Sequence, residues 1–360
     1  MNERLSRLRD RMQNLKLDAF LVSQPENRRY LSGFTGSAGY LLITPTEALL
    51  ATDFRYIEQA TIEAPGFAVR KIETKFEALF PSLVAELGLK RIGFESGHMT
   101  YAEHGSLAAP HQSEGLAEPP ALEYTLCPTL GLIEDMRAVK EPQEIAAIRA
   151  AVELGDAAFL HVREQLRPGM TERQVAWELE VFMRQAGAEA VAFEIIVASG
   201  PNGAMPHAKA TSREIGSGEP IIMDLGARLN GYHSDLTRTT CLGEPDGRFK
   251  EIYALVLRAQ AAAQEAGRAG LTGVELDAVA RQIIEEAGYG ESFGHGLGHG
   301  VGLAVHEEPR VAKTGTATLA DGNVITIEPG IYLPGWGGVR IEDMAVVRPQ
   351  GLEILTRAPK

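Results

Sequence analysis

Two stretches of this chain, opening at Gly169 and at Gly270, follow one plan, and that duplication narrows the possible folds more than any bulk property does. Gly169-Met170-Thr171 begins the first, which closes at Ala186-Gly187; Gly270-Leu271-Thr272 begins the second, which closes at Ala287-Gly288 at the same spacing. Each starts with a capping box, Thr171 with Gln174 and Thr272 with Glu275, whose side chains satisfy backbone N–H groups left free at a helix start. Each is expected to be a helix closed by glycine. An apolar run then follows in both copies: Ile221-Ile222-Met223 ending on Asp224, and Val324 to Ile327 ending on Glu328. The first run reads as a buried strand that turns through Gly226 and Asn230-Gly231 into a second strand, Tyr232 to Thr239, with Asp235 in its middle. Around Glu342, GGVRIEDMAVV parallels GYHSDLTRTT around Asp235. The region therefore reads as two copies of a helix-plus-hairpin unit, each carrying two carboxylates on its strands.

A lone aspartate in a strand is usually half of a structural ion pair, and Arg228 or Arg238 could serve Asp224 or Asp235 in that way. Two matched pairs point elsewhere. If the copies face each other, four carboxylates meet, and like charges at close range push each other's pKa upward. Two divalent cations would balance them. Metal pairs about 3.5–4 Å apart, bridged by carboxylates, form a recurring hydrolytic site that activates water near neutral pH. Oxygen-rich ligation with one imidazole suits manganese or cobalt, with zinc or iron also open. The imidazole is expected from GHGLGHGVGLAVHEEP, residues Gly294 to Pro309, where His295, His299 and His306 sit among glycines that allow close backbone approach. His299 is the best candidate.

The remaining chain sets the context. A formal charge of −13 without a lysine- or arginine-rich block excludes a nucleic-acid partner. No apolar run approaches a membrane span, and the N-terminus reads as an amphipathic helix on Leu5, Leu8, Met12 and Leu15 rather than a signal segment. Two cysteines, Cys127 and Cys241, are too few for a disulfide framework and are expected to be reduced and buried, so a cytoplasmic protein is expected. From Asp18 to Ser96, strands AFLVS, GYLLIT, ALLAT and KRIGFES alternate with helical pattern, including Phe76 to Leu87 with Pro81 in its first half. That is an α/β layer arrangement. Gln112 to Pro128 loses periodicity, which places a domain boundary near Thr129: one domain over 1–128 and another over 129–360. Glu141 to Arg163 reads as a long helix with Pro142 in its first turn.

Taken together, MDLGARLNGYHSD, HGLGHGVGLAVHEEP, TIEPGIY and GGVRIED resemble the signatures of the proline-specific metallopeptidases of the creatinase/methionine aminopeptidase ("pita-bread") family. The likeness is close to aminopeptidase P and prolidase and covers essentially the whole chain. It implies an α/β creatinase-type N-terminal domain followed by an α+β pita-bread catalytic domain with an internal pseudo-twofold repeat. By this resemblance Asp224, Asp235, His299, Glu328 and Glu342 are ligands of two divalent ions, with Asp235 and Glu342 bridging. His207 would stabilise the tetrahedral intermediate, His295 and His306 would line the pocket around the scissile bond, and Arg340 would stand beside the bridging glutamate. Glu328 would shuttle a proton to the leaving proline nitrogen. The implied substrate is a peptide with proline at its second position, and the implied assembly a homodimer. Asp53-Phe54-Arg55-Tyr56 matches an Asp-x-Arg-Tyr motif of small bacterial aminopeptidases P, which makes Arg55 a candidate substrate contact. It also favours aminopeptidase P over the alternative, a dipeptide-restricted prolidase. A non-catalytic peptide-binding relative is the remote alternative; it would tolerate lost ligands, and this sequence has lost none.

Overall fold

The computed structural model describes residues 3–108 and 124–360 and divides into two compact units, Met1–Met136 and Arg137–Lys360. In the first, six strands form one mixed sheet. Its order is Ala68–Ile72, Ala48–Asp53, Tyr40–Ile43, Ala19–Val22, Arg91–Glu95 and Thr125–Thr129. The four apolar runs expected as strands make its centre, where Ala19–Val22 is buried throughout. The two outermost strands were not expected. Both mix exposed with half-buried residues and lack a continuous apolar run. The helix Phe76–Leu87 buries Phe76, Phe80, Leu83 and Val84 in a core with Leu21, Leu42 and Ile92. Burying such side chains contributes roughly 1.5–3 kcal/mol each. The N-terminal helix, Glu3–Asn14, buries Leu5, Leu8 and Met12; Leu15 falls past its end and is exposed.

The expected boundary at 128/129 differs from the division at Met136/Arg137. Pro128 and Thr129 pair with Phe94 and Glu95 in the first unit's sheet, and Ile133 and Met136 are fully buried, so the chain leaves that unit later. Most of the stretch Gln112 to Pro128 lies outside the described residues. The two cysteines are free as expected, but both are half-buried rather than buried.

The second unit carries the duplication. Helix Glu172–Gln185 is capped by Thr171 and helix Gly273–Glu286 by Thr272, each through a complete capping box. Gly187 and Gly288 follow with φ of +105° and +85°, a conformation in which a side chain would be strained. Bridges Thr171↔Glu214 and Thr272↔Thr318 tie the two caps to equivalent places. A longer helix precedes each one, Pro142–Gln165 and Gly247–Ala266. The second of these was not foreseen, so the repeated unit is two helices and a hairpin. Val175, Leu179 and Met183 pack with Ile221 and Met223 in one copy; Leu276, Ala280 and Ile284 pack with Ile325 and Ile327 in the other.

The hairpins depart from the expected shape in one respect that matters. Asp235 is not in mid-strand. Pro220–Leu225 pairs with Leu236–Cys241, then Ala227–Leu229 pairs with Tyr232–His233 in a different sheet. The ladder breaks where Gly226 faces Ser234-Asp235: a Cβ on Gly226 would lie 2.0 Å from Ser234 O. The second hairpin breaks likewise, between the pairing of Val324–Ile327 with Asp343–Arg348 and that of Gly330–Leu333 with Gly337–Arg340. Its break contains Pro329, which has no N–H to give a ladder. Asp235, Glu328 and Glu342 all sit in these breaks. Among the described residues no helix is long and apolar enough to cross a membrane.

Candidate metal centre

Asp224 stands near the end of the strand Pro220–Leu225. Its Oδ2 accepts a hydrogen bond from Arg340 Nη2 at 2.5 Å, and its Oδ1 is buried without a hydrogen-bond partner. The plain ion pairs that the sequence allowed do not form: Arg228 faces Glu189 at 3.7 Å, and Arg238 pairs with Asp343 at 2.7 Å. Glu342 is gripped by the other copy of the repeat. Its N–H donates to Thr237 O at 3.0 Å, and its Oε2 accepts from Thr237 Oγ1 at 2.7 Å. The strand Leu236–Cys241 thus lies against the break of the second hairpin, and this crossing joins the two carboxylate pairs. Glu342 Oε1 is buried and unpartnered as well.

His299 completes the group from the strand Gly298–Gly300. Its Nδ1–H donates to Gly300 O at 3.1 Å, which turns Nε2 toward the carboxylates, 3.6 Å from Asp235 Oδ2 and 3.4 Å from Glu328 Oε1. A second hydrogen bond of this kind is how metal-binding imidazoles are usually oriented. One ligand atom each from Asp235, His299 and Glu342 lies within 4.8 Å of the others. Burial lifts Asp235 and Glu342 well above the usual carboxylate range. The neighbouring charges of Asp224 and Glu328 lift both further. Burial carries Glu328 up to about 8, against the pull of Arg340. Burial also holds His299 down at about 4, so its imidazole is neutral.

Arg340 supplies one positive charge to four carboxylates. Hard oxygen donors, two buried oxygens without partners and a neutral imidazole facing them fit divalent cations. Of the five ligand candidates read from the sequence, Asp235, His299 and Glu342 come together, Glu328 lies against His299, and the charge of Asp224 bears on this group.

One of the other candidates, His295, and the neighbour of His207 meet at Arg340 and its partner Tyr332. Arg340 Nη1 donates to Tyr332 Oη at 2.7 Å and to Pro206 O, beside His207, at 3.2 Å. His295 Nε2 lies 2.9 Å from the same Tyr332 hydroxyl, and its Nδ1–H donates to Gly296 O at 2.8 Å. Burial holds His295 at about 4, so it is neutral, with both nitrogens engaged. His306 packs edge-on against His299 with ring centres 4.2 Å apart. His207 is exposed, and its charge bears on both His295 and His306. Arg55 lies in the first unit, where its guanidinium grips Asp53 through two hydrogen bonds of 2.9 Å.

Residues 146–349 match the family model for metallopeptidase family M24, and residues 4–139 match that for the Creatinase/Prolidase N-terminal domain. The chain belongs to metallopeptidase family M24. An Xaa-Pro dipeptidase of Pyrococcus horikoshii is 39% identical over 100% of this chain and 98% of its own. Two solved structures agree in fold and length. The Xaa-Pro dipeptidase from Bacillus anthracis has a TM-score of 0.94 at 42% identity, covering 99% of this chain and 98% of that one. The X-Pro aminopeptidase from Thermotoga maritima has a TM-score of 0.89 at 40% identity, with the same coverage. The fold is accordingly a creatinase-type N-terminal domain followed by the M24 pita-bread catalytic domain.

Several supports of this M24 centre escaped the sequence reading. Asp277 Oδ1 accepts from Leu297 N at 2.9 Å, and Arg281 Nη2 donates to His295 O at 2.7 Å, so one helical ion pair shapes the histidine loop. Their i, i+4 spacing was visible but is common on any helix. Arg238, fully buried, donates to the carbonyls of Thr237, Glu342 and Ala358. Tyr332 lay inside the quoted TIEPGIY, yet nothing in a strand tyrosine announces contact with both Arg340 and His295.

Proposed function

We propose that this chain is an exopeptidase that hydrolyses the bond between an N-terminal residue and a following proline, using two divalent ions, manganese in first place. The observation that carries the proposal is the meeting of Asp235, His299 and Glu342, with Glu328 against His299 and the charge of Asp224 bearing on them, at buried carboxylate oxygens that lack partners. Asp235 and Glu342 would bridge the ions, Asp224 would hold one, and His299 with Glu328 would hold the other. When bound, such a pair supplies Lewis acidity and activates water. His207 and His306 would donate hydrogen bonds where the carbonyl oxygen gains charge. Glu328 is assigned the proton transfer to the proline nitrogen. His295 fits a supporting role better than a donating one, because its only N–H is spent on Gly296 O. Proline leaves the scissile bond without an N–H, so a pocket that offers that nitrogen no acceptor and accepts a ring selects it.

The names of the relatives divide on peptide length. Acceptance of longer peptides, the aminopeptidase P reading, rests on the motif around Arg55 and on the T. maritima structure. Restriction to dipeptides has the P. horikoshii and B. anthracis relatives behind it. A homodimer in the cytoplasm completes the proposal. Assay of an Xaa-Pro dipeptide, an Xaa-Pro-Yaa tripeptide and an Xaa-Ala-Yaa control, with manganese, cobalt or zinc supplied, decides among these. Cleavage of both proline peptides supports aminopeptidase P; cleavage of the dipeptide alone supports the second reading. Indifference to proline, or no cleavage with any metal, contradicts both. Arg55→Ala in the same assay should weaken tripeptide cleavage more than dipeptide cleavage if Arg55 contacts substrate.

A further inference from the structure

Glu172 is the first residue of the helix Glu172–Gln185, and its side chain is fully buried. It faces inward to the segment that joins this helix's copy of the repeat to its hairpin. Oε1 accepts from Ser199 N at 2.7 Å and from Ser199 Oγ at 2.8 Å. Oε2 accepts from Asn202 Nδ2 at 2.9 Å, Thr211 N at 3.0 Å and Thr211 Oγ1 at 2.6 Å. One carboxylate thus takes five hydrogen bonds, and they come from both ends of the segment 199–211. His207 lies between those ends.

The opposite side of the same segment rests on the second hairpin. A Cβ on Gly338 would lie 2.2 Å from Gly203 O, and Pro206 O accepts from Arg340. The position equivalent to Glu172 in the other copy is Gly273, where a Cβ would meet Arg310 O at 2.0 Å. The carboxylate therefore belongs to the copy whose segment carries His207. A five-coordinate buried carboxylate is more than a helix start requires, since Thr171 and Gln174 already cap this one.

We propose that Glu172 is a positioning residue for His207: it closes the segment 199–211 into a fixed loop and so sets the imidazole over the metal centre. This rests on the role proposed for His207 in stabilising the charged carbonyl oxygen. Loss of the clamp leaves the five ligand candidates untouched and lets the loop move, and misplacement of a catalytic group by about 1 Å can cost on the order of a hundredfold in rate.

The test compares wild type, Glu172→Gln, His207→Ala and the double variant, each loaded with manganese, on alanyl-proline. Glu172→Gln keeps the metal content and lowers kcat ten- to a hundredfold with KM little changed. In the His207→Ala background the same substitution has no further effect, because the residue it acts through is gone. Trypsin cleavage after Lys209, an exposed residue of this loop, speeds up in Glu172→Gln at temperatures well below that variant's own unfolding midpoint. Unchanged kcat, losses that multiply in the double variant, or a fall in kcat without faster cleavage at Lys209 would each overturn the proposal. Asn202→Ala, which removes a single donor, serves through the same cycle should Glu172→Gln not fold, with a smaller loss in the same direction. If wild type cleaves neither alanyl-proline nor an Xaa-Pro-Yaa tripeptide with any metal, the proline-specific exopeptidase function fails, and the Lys209 cleavage still tests the clamp.

Discussion

Glu328 and the two buried histidines pull stability in opposite directions as pH changes. His295 and His299 titrate near 4 in the folded chain and near 6.5 when unfolded, so the unfolded state binds more protons between those values and stability rises with pH there. Glu328 titrates near 8 when folded and 4.5 when unfolded, so the folded state holds the extra proton and stability falls across that range. The two effects overlap up to pH 6.5. Above it Glu328 acts without opposition from either histidine. The metal-free protein should therefore lose about 1 kcal/mol of unfolding free energy between pH 6.5 and pH 8, discounted for partial solvent contact. Denaturant titrations at the two pH values check this. Saturating divalent metal should remove the loss, because a cation favours the ionised carboxylates. A flat or rising metal-free profile would mean that these carboxylates are not raised as their burial and crowding demand.

At the scale of elements, the strand that carries His299 is wedged into place. A Cβ on Gly298 would lie 2.1 Å from Thr326 O, whereas one on Gly294, in the same glycine-rich loop, meets nothing within 4 Å. Gly298→Ala should cost about 2–4 kcal/mol and displace His299, and Gly294→Ala should stay within about 0.5 kcal/mol of wild type by denaturant midpoint. Equal effects from the two would show that the loop is not packed as described. This contrast also marks what the sequence could tell. Periodicity, capping boxes and the matched runs before Asp224 and Glu328 are local signals, and they exposed the two capped helices, the hairpins and the five ligand candidates, but not the helix Gly247–Ala266. The breaks in the hairpins were not legible, because they depend on Gly226 meeting Ser234 and on which sheet each half joins. Glu172 and Tyr332 were missed for a related reason: their partners lie 27 to 39 residues away for Glu172 and on two other segments for Tyr332.

Across the whole catalytic unit, the duplication explains the centre. Neither hairpin alone brings more than two carboxylates together, and the strand Leu236–Cys241 of one copy must cross the break of the other before four of them meet. That crossing would bury a cluster of like charges against the single charge of Arg340 among the described residues, unless cations enter with it. The most direct test is calorimetric titration of manganese into metal-free protein at pH 7.5, repeated in buffers of different ionisation heat. Two ions should bind per chain, with release of protons from the raised carboxylates and a rise in unfolding temperature. Binding of no ion, or full peptidase activity in excess chelator, would contradict the account.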